Sequence, residues 1–253
     1  MDAPLAIDRV DDASATAHWK FWGTFLWGLL ITAVFLVLQA GIVYGVVASS
    51  QGALSESEFM DRYISAATSG SVFSIATILT AVLCCALIAG VVKLKKGAVL
   101  SAYLALDAIP RALILRWLVL LVAFIVIADV VTYLVGRPIV PDFMSEVYST
   151  ADPVWLLWVA LLVAAPLFEE TFFRGFLFRG FASSFLGVSG TVLVTAGLWA
   201  LLHVQYDAYG IALVFALGLL LGIARARTSS LWVPIAMHSA ANLVATIETA
   251  VLT

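Results

Sequence analysis

An all-α fold, a polytopic transmembrane helical bundle of about seven spans, is predicted by three features of this sequence. Of its 253 residues 63% are hydrophobic and only 11% charged, the mean hydropathy is +1.09, and several apolar runs reach the roughly 20 helical residues that cross a hydrocarbon core. A water-facing globule carries far more charge than this, so most of the chain has lipid for its solvent. One N-terminal signal peptide would account for a single run and leave the others unexplained. A net charge of −3 with no basic stripe gives nucleic acid no purchase as a partner. Cys84 and Cys85 are adjacent within an apolar run, where packing is the ordinary role and neither a disulfide nor a metal site is indicated.

The elements follow in order. Residues Met1 to Lys20 are polar, hold four aspartates and read as a cytoplasmic N-terminal segment. Phe21 to Val47 is the first span, followed by a polar loop with Glu56, Glu58 and Asp61. A second span, Ser71 to Val92, stops at Lys93, Lys95 and Lys96, a cluster that belongs on the cytoplasmic side and puts the N-terminus there too. Gly97 to Arg111 is mixed and reads as an interfacial linker, and Leu113 to Leu134 as the third span. Val135 to Pro153 carries three acids against one arginine, which suits the outer face. The fourth segment then enters at Val154 and continues to a turn at Ser183, Ser184 and Gly187. Gly190 to His203, Tyr209 to Ile223 and Leu231 to Leu252 complete the set, with Arg225 and Arg227 again inside. We divide the chain into 1–20, the spans and linker of 21–150, and a catalytic membrane core over 151–253, all within one domain.

Ionisable groups inside spans are costly and mark either function or a paired structural role. In the last hundred positions they reduce to Glu169, Glu170, Arg174, His203, His238 and Asn242, with Asp129 and Glu248 as outliers. Glu170 and Arg174 are four apart on one helical face and set up to pair. Glu169 points about 100° away, free to act as a base. With the hairpin turn near Leu186, Glu169 lies 17 residues before it and His203 17 residues after it, so both fall at one level. His238 lies ten residues past Thr228, roughly 15 Å into the membrane from the same side. His238 and Asn242, again four apart, place an imidazole and an amide where both can donate to one oxygen. Singly, each of these groups is as readily an interhelical hydrogen-bond partner; their combination carries the reading. Phe173 and Trp199 are weaker candidates for the wall of a substrate groove. Asp129 and Glu248 are assigned no chemistry.

These residues resemble the CAAX protease and bacteriocin-processing (CPBP, or Abi) family of intramembrane glutamic endopeptidases. Its Glu-Glu-x-x-x-Arg pattern is present as Glu169-Glu170-Thr171-Phe172-Phe173-Arg174, its Phe-x-x-x-His as Trp199-Ala200-Leu201-Leu202-His203 with tryptophan for phenylalanine, and its His-x-x-x-Asn as His238-Ser239-Ala240-Ala241-Asn242. The three occur in the family's order over residues 155 to 245. The resemblance implies that Glu169 activates a water near His203, that His238 and Asn242 stabilise the oxyanion, and that Glu170 and Arg174 support the structure. It implies an integral membrane peptidase, in a cell's inner or plasma membrane, whose partners are lipid and a membrane-associated peptide: a prenylated C-terminal motif, a bacteriocin leader or another signal peptide.

Two other readings share these residues. Glu169, His203 and His238 supply the donor set of a catalytic divalent metal such as zinc, although His-Glu-x-x-His is missing; no cofactor is the favoured expectation. A non-catalytic membrane scaffold or bacteriocin-immunity protein would use the same polar groups to hold helices together.

Overall fold

A computed structural model of the protein describes residues 17–49 and 55–253, so most of the expected N-terminal segment, residues 1–16, lies outside the described residues. Among these residues the chain forms ten helices: α1 (Phe21–Ala48), α2 (Glu56–Thr68), α3 (Gly70–Leu94), α4 (Leu100–Leu104), α5 (Arg111–Leu134), α6 (Asp142–Ser149), α7 (Val154–Ala182), α8 (Gly187–Leu201), α9 (Ala208–Thr228) and α10 (Trp232–Leu252). Six of them, α1, α3, α5, α7, α9 and α10, are long and apolar enough to cross a membrane. The seventh apolar segment, α8, has 15 residues, about 22 Å of helix at 1.5 Å per residue, and falls short of a full crossing.

Three expected connections are partly helical. The polar stretch after α1 forms α2 because Ser55 and Glu58 make a reciprocal capping box, in which the serine bonds hold the Glu58 carboxyl below its ordinary value. Asp142 in the first turn of α6 and the short α4 in the linker are the other two. The sixth run continues beyond Ile223, so Arg225 and Arg227 belong to the last turn of α9.

The bundle is layered by solvent. Much of α5 is outward apolar surface, with Val119 68% and Ile127 63% exposed, which only lipid accommodates. The core instead gathers around α7, whose Phe168, Phe172, Phe173, Phe176, Leu177 and Phe181 are buried against α1, α3 and α4. Phe35 of α1 stacks on Phe168, and Tyr103 of α4 stacks on Phe176. Backbone and indole groups lock the ends: Leu231 N–H donates to Ala105 O at 2.9 Å, and Trp19 Nε1–H to Val91 O at 3.1 Å.

Close approach of α1 to α7 depends on Gly180. A Cβ there would sit 1.8 Å from Thr24 Oγ1 and 2.8 Å from Trp19 O, whereas a Cβ at Gly90 of α3 meets nothing within 4 Å. We therefore expect Gly180→Ala to lower the SDS-unfolding midpoint by an amount worth about 1–3 kcal/mol. Gly90→Ala should leave it unchanged or raise it by up to about 1 kcal/mol. Equal midpoints for the two variants would rule out this packing.

Candidate active site

The backbone of α7 is not a regular α-helix. It opens into π-helical turns over Ala160–Ala164 and Thr171–Leu177. The first has a local cause. Ala165 N–H bonds to Ala160 O, five residues back. In that register the carbonyl of Leu161 would look to residue 166, which is proline and has no N–H. Asn242 of α10 takes up the freed carbonyl, its Nδ2 donating to Leu161 O at 2.8 Å. In the second π turn the Arg174 carbonyl accepts from Arg225 Nε at 2.9 Å. Side chains of α9 and α10 thus satisfy the backbone where α7 widens.

On this frame the two glutamates diverge. Glu170 is fully buried, with Arg174 Nη1 donating to its Oε1 at 3.0 Å from an equally buried guanidinium. Arg174 Nη2 donates to Gly218 O at 3.0 Å, and His238 Nδ1 lies 2.9 Å from the same Glu170 oxygen. Glu169 instead faces a cavity of about 700 Å³, with 23% of its side chain exposed, and accepts a short hydrogen bond on Oε2 from Trp199 Nε1–H. His238 Nε2 is 3.9 Å from that oxygen. The His238 ring therefore has a carboxylate on each side, an arrangement suited to donation from both nitrogens.

His203 lies just past the end of α8 and reaches Glu169 through Trp199, with no direct bond between the two. Its Nδ1 donates to Trp199 O at 2.9 Å, which leaves Nε2 with its lone pair for another partner, and its ring meets the indole edge-on at 5.0 Å. Glu169, Trp199, His203, His238 and Asn242 all line the one cavity. One amide N–H of Asn242 is committed to Leu161, and a primary amide has a second. Phe173 and Trp199 touch the cavity too, but each is only 2% exposed, so they are core residues that show the cavity little more than an edge.

The structure also brings in residues to which the sequence reading gave no role. Gly218 supplies a carbonyl to Arg174 and room for Trp199, since a Cβ there would lie 3.0 Å from the indole Cε3. Arg225 is buried, braces Arg174 O and lies over the Phe178 ring. Asp129 of α5 and Glu248 of α10, set apart as outliers, line the same cavity. Spacing offered one signal for Arg225, a cation at the end of an apolar run; a glycine among other small residues offered none.

As a metal site the arrangement fits poorly. Among the described residues no three His, Cys, Asp or Glu side chains converge as a metal-holding group. Of the trio a zinc ion would need, His203 stands apart, held by its backbone bond at Trp199.

Neighbouring glutamates in such different settings should respond differently to the same change. Glu170→Gln leaves the Arg174 charge buried without its counter-ion, and we expect a loss of about 3–5 kcal/mol in SDS or thermal unfolding. Glu169→Gln keeps an acceptor for the indole and should cost less than about 1 kcal/mol. Comparable losses would mean that both glutamates are structural.

Residues 151–244 match the model of the Rce1-like family, described as Type II CAAX prenyl endopeptidase Rce1-like. The chain is 29% identical over 129 residues to an uncharacterized 24.3 kDa protein of Escherichia coli, an alignment covering 48% of this chain and 59% of that relative. The chain thus spans less than two thirds of the length of the curated relative it matches. No solved structure matches. Glu169, Glu170, Arg174, Trp199, His203, His238 and Asn242 all fall inside this stretch, over which the integral membrane protein is similar to the Rce1-like, type II CAAX prenyl endopeptidase family.

Proposed function

We propose that the protein is an intramembrane endopeptidase that hydrolyses a peptide bond of a membrane-associated peptide with a water activated by Glu169. The observation that carries this reading is the exposure of Glu169, and not of its neighbour Glu170, to a largely apolar cavity that His203, His238 and Asn242 also line. A base must come within hydrogen-bond reach of the proton it takes, and Glu169 Oε1 is bonded to no described group. In this mechanism a water between Glu169 and the free Nε2 of His203 gives its proton to Glu169 and attacks the carbonyl. His238 and the second amide N–H of Asn242 donate to the oxyanion. Glu169 then returns the proton to the leaving amine. Glu170 and Arg174 keep His238 and the α7 backbone in place.

The cavity volume of about 700 Å³ suits a peptide segment with apolar side chains. The family match at residues 151–244 supports peptidase chemistry, with prenylated C-terminal peptides, leader peptides and signal peptides as the substrate classes, and the reading needs no resident metal. The lysines at 93, 95 and 96 support a cytoplasmic N-terminus in a cell's inner or plasma membrane.

The test compares the membrane peptidome of cells making the wild-type protein with that of cells making Glu169→Gln at equal membrane levels. At least one peptide product should disappear in the variant. Its formation by purified wild-type protein should persist after stringent chelation. An unaltered peptidome would favour a scaffold, and loss of activity on chelation with recovery on adding zinc would favour the metal route.

A further inference from the structure

The indole of Trp199 touches Glu169 and three of the charged or titratable groups around it, Arg174, His203 and His238. Its Nε1–H donates to Glu169 Oε2. The Arg174 guanidinium lies 4.8 Å from its ring centroid, and the rings of His203 and His238 meet it edge-on at 5.0 and 5.2 Å. Its carbonyl fixes His203 Nδ1. At 2% exposure an indole N–H must find an acceptor inside the protein or go unsatisfied, and Glu169 is the acceptor it has. Glu169 is itself held by little else. The Trp199 bond is its one hydrogen bond among the described residues, and His238 Nε2 stands off at 3.9 Å. A flexible glutamate half-open to a cavity has several rotamers, and a charge-assisted bond to one oxygen selects among them.

We infer that Trp199 is a positioning residue for Glu169, its indole N–H anchoring Oε2 so that Oε1 is the oxygen presented to the reacting water. The inference rests on the reading of Glu169 as the base. A phenylalanine at this position would fill similar space but carry no donor. Gly218 belongs to the same device, because a side chain there would push on the indole Cε3. The groups facing Glu169 are Arg174 on its own helix, His238 on α10, and His203 and Tyr206 after α8. Removing only the indole N–H leaves all four in place, so a fall in kcat with KM unchanged reports on that bond.

Two replacements of Trp199 separate the donor from the ring: Trp199→Phe, and Trp199→3-benzothienylalanine, an isostere with sulfur in place of N–H. The full-length protein in liposomes is assayed on the peptide product lost in Glu169→Gln cells. For both variants we expect kcat to fall on the order of tenfold or more, as for a misplaced reacting group, with KM within about twofold. Wild-type kcat in the isostere, with Glu169→Gln inactive, would overturn the role of Trp199 while leaving the base assignment standing. An active Glu169→Gln would overturn the base assignment itself.

A measurement independent of turnover covers the case in which the variants fold poorly. In ¹⁵N-indole spectra of the wild-type protein, the Trp199 signal, identified by its loss in Trp199→Phe or the isostere, should lie downfield and move upfield in Glu169→Ala. No movement would show that the bond is absent and the inference wrong.

Discussion

Burying a full positive and a full negative charge inside a lipid-embedded bundle is the constraint from which the rest of the site follows. Glu170 and Arg174 have no access to solvent, so each must find its compensation within the protein. Arg174 uses Glu170 and the carbonyl of Gly218, and Glu170 uses Arg174 and His238. Those bonds reach α9 through Gly218 and α10 through His238, and Arg225 closes the loop from α9 onto the Arg174 carbonyl. Three helices are thereby fixed about one residue pair. The orientation of Glu169 is a consequence: once Glu170 is locked to the interior, its neighbour on the helix is turned about 100° away and faces the cavity.

The irregular backbone of α7 is part of the same solution. In lipid a carbonyl without a partner has no water to fall back on, so a widened helix survives only where protein groups fill the gap. Pro166 creates one such gap at Leu161 and Asn242 fills it, while Arg225 serves the Arg174 carbonyl. The same amide and guanidinium therefore hold the shape of the helix bearing both glutamates. Asn242 is placed at the cavity by this backbone bond, which orients its remaining N–H.

Where one physical rule decides an element, it was legible from residues alone. Apolar runs of span length fall within two residues of the observed helix ends for the first four spans, and the i, i+4 spacing of Glu170 and Arg174 gives the observed contact. Equal distances from the hairpin turn placed α7 and α8 in register, but the partner at that level is Trp199, one helical turn before His203, because α8 ends at Leu201 and His203 sits in the following turn. What was not legible depends on competition between groups. The capping box of Ser55 and Glu58 converts a polar loop into α2, a local effect that average hydropathy does not see. Gly218 matters for what it lacks, and Trp199 for a donor hidden among apolar neighbours. Asp129 and Glu248, 119 positions apart in sequence, line one cavity only because α5 and α10 pack together.

The adjacent glutamates show how one residue type takes a sealed and a cavity-facing setting within a single helical turn. Glu170 has its negative charge engaged by a guanidinium and an imidazole, and nothing of it reaches the cavity. Glu169 has one oxygen engaged by an indole and the other bonded to no described group. The environments differ in how many donors each carboxylate is given, since both side chains start from neighbouring backbone positions. A carboxylate bonded by a guanidinium and an imidazole, and closed off from the cavity, is stabilised in place and inert as a base. One given a single neutral donor keeps its orientation and the capacity to accept a proton. In an apolar cavity that difference decides which of two identical side chains is available for chemistry.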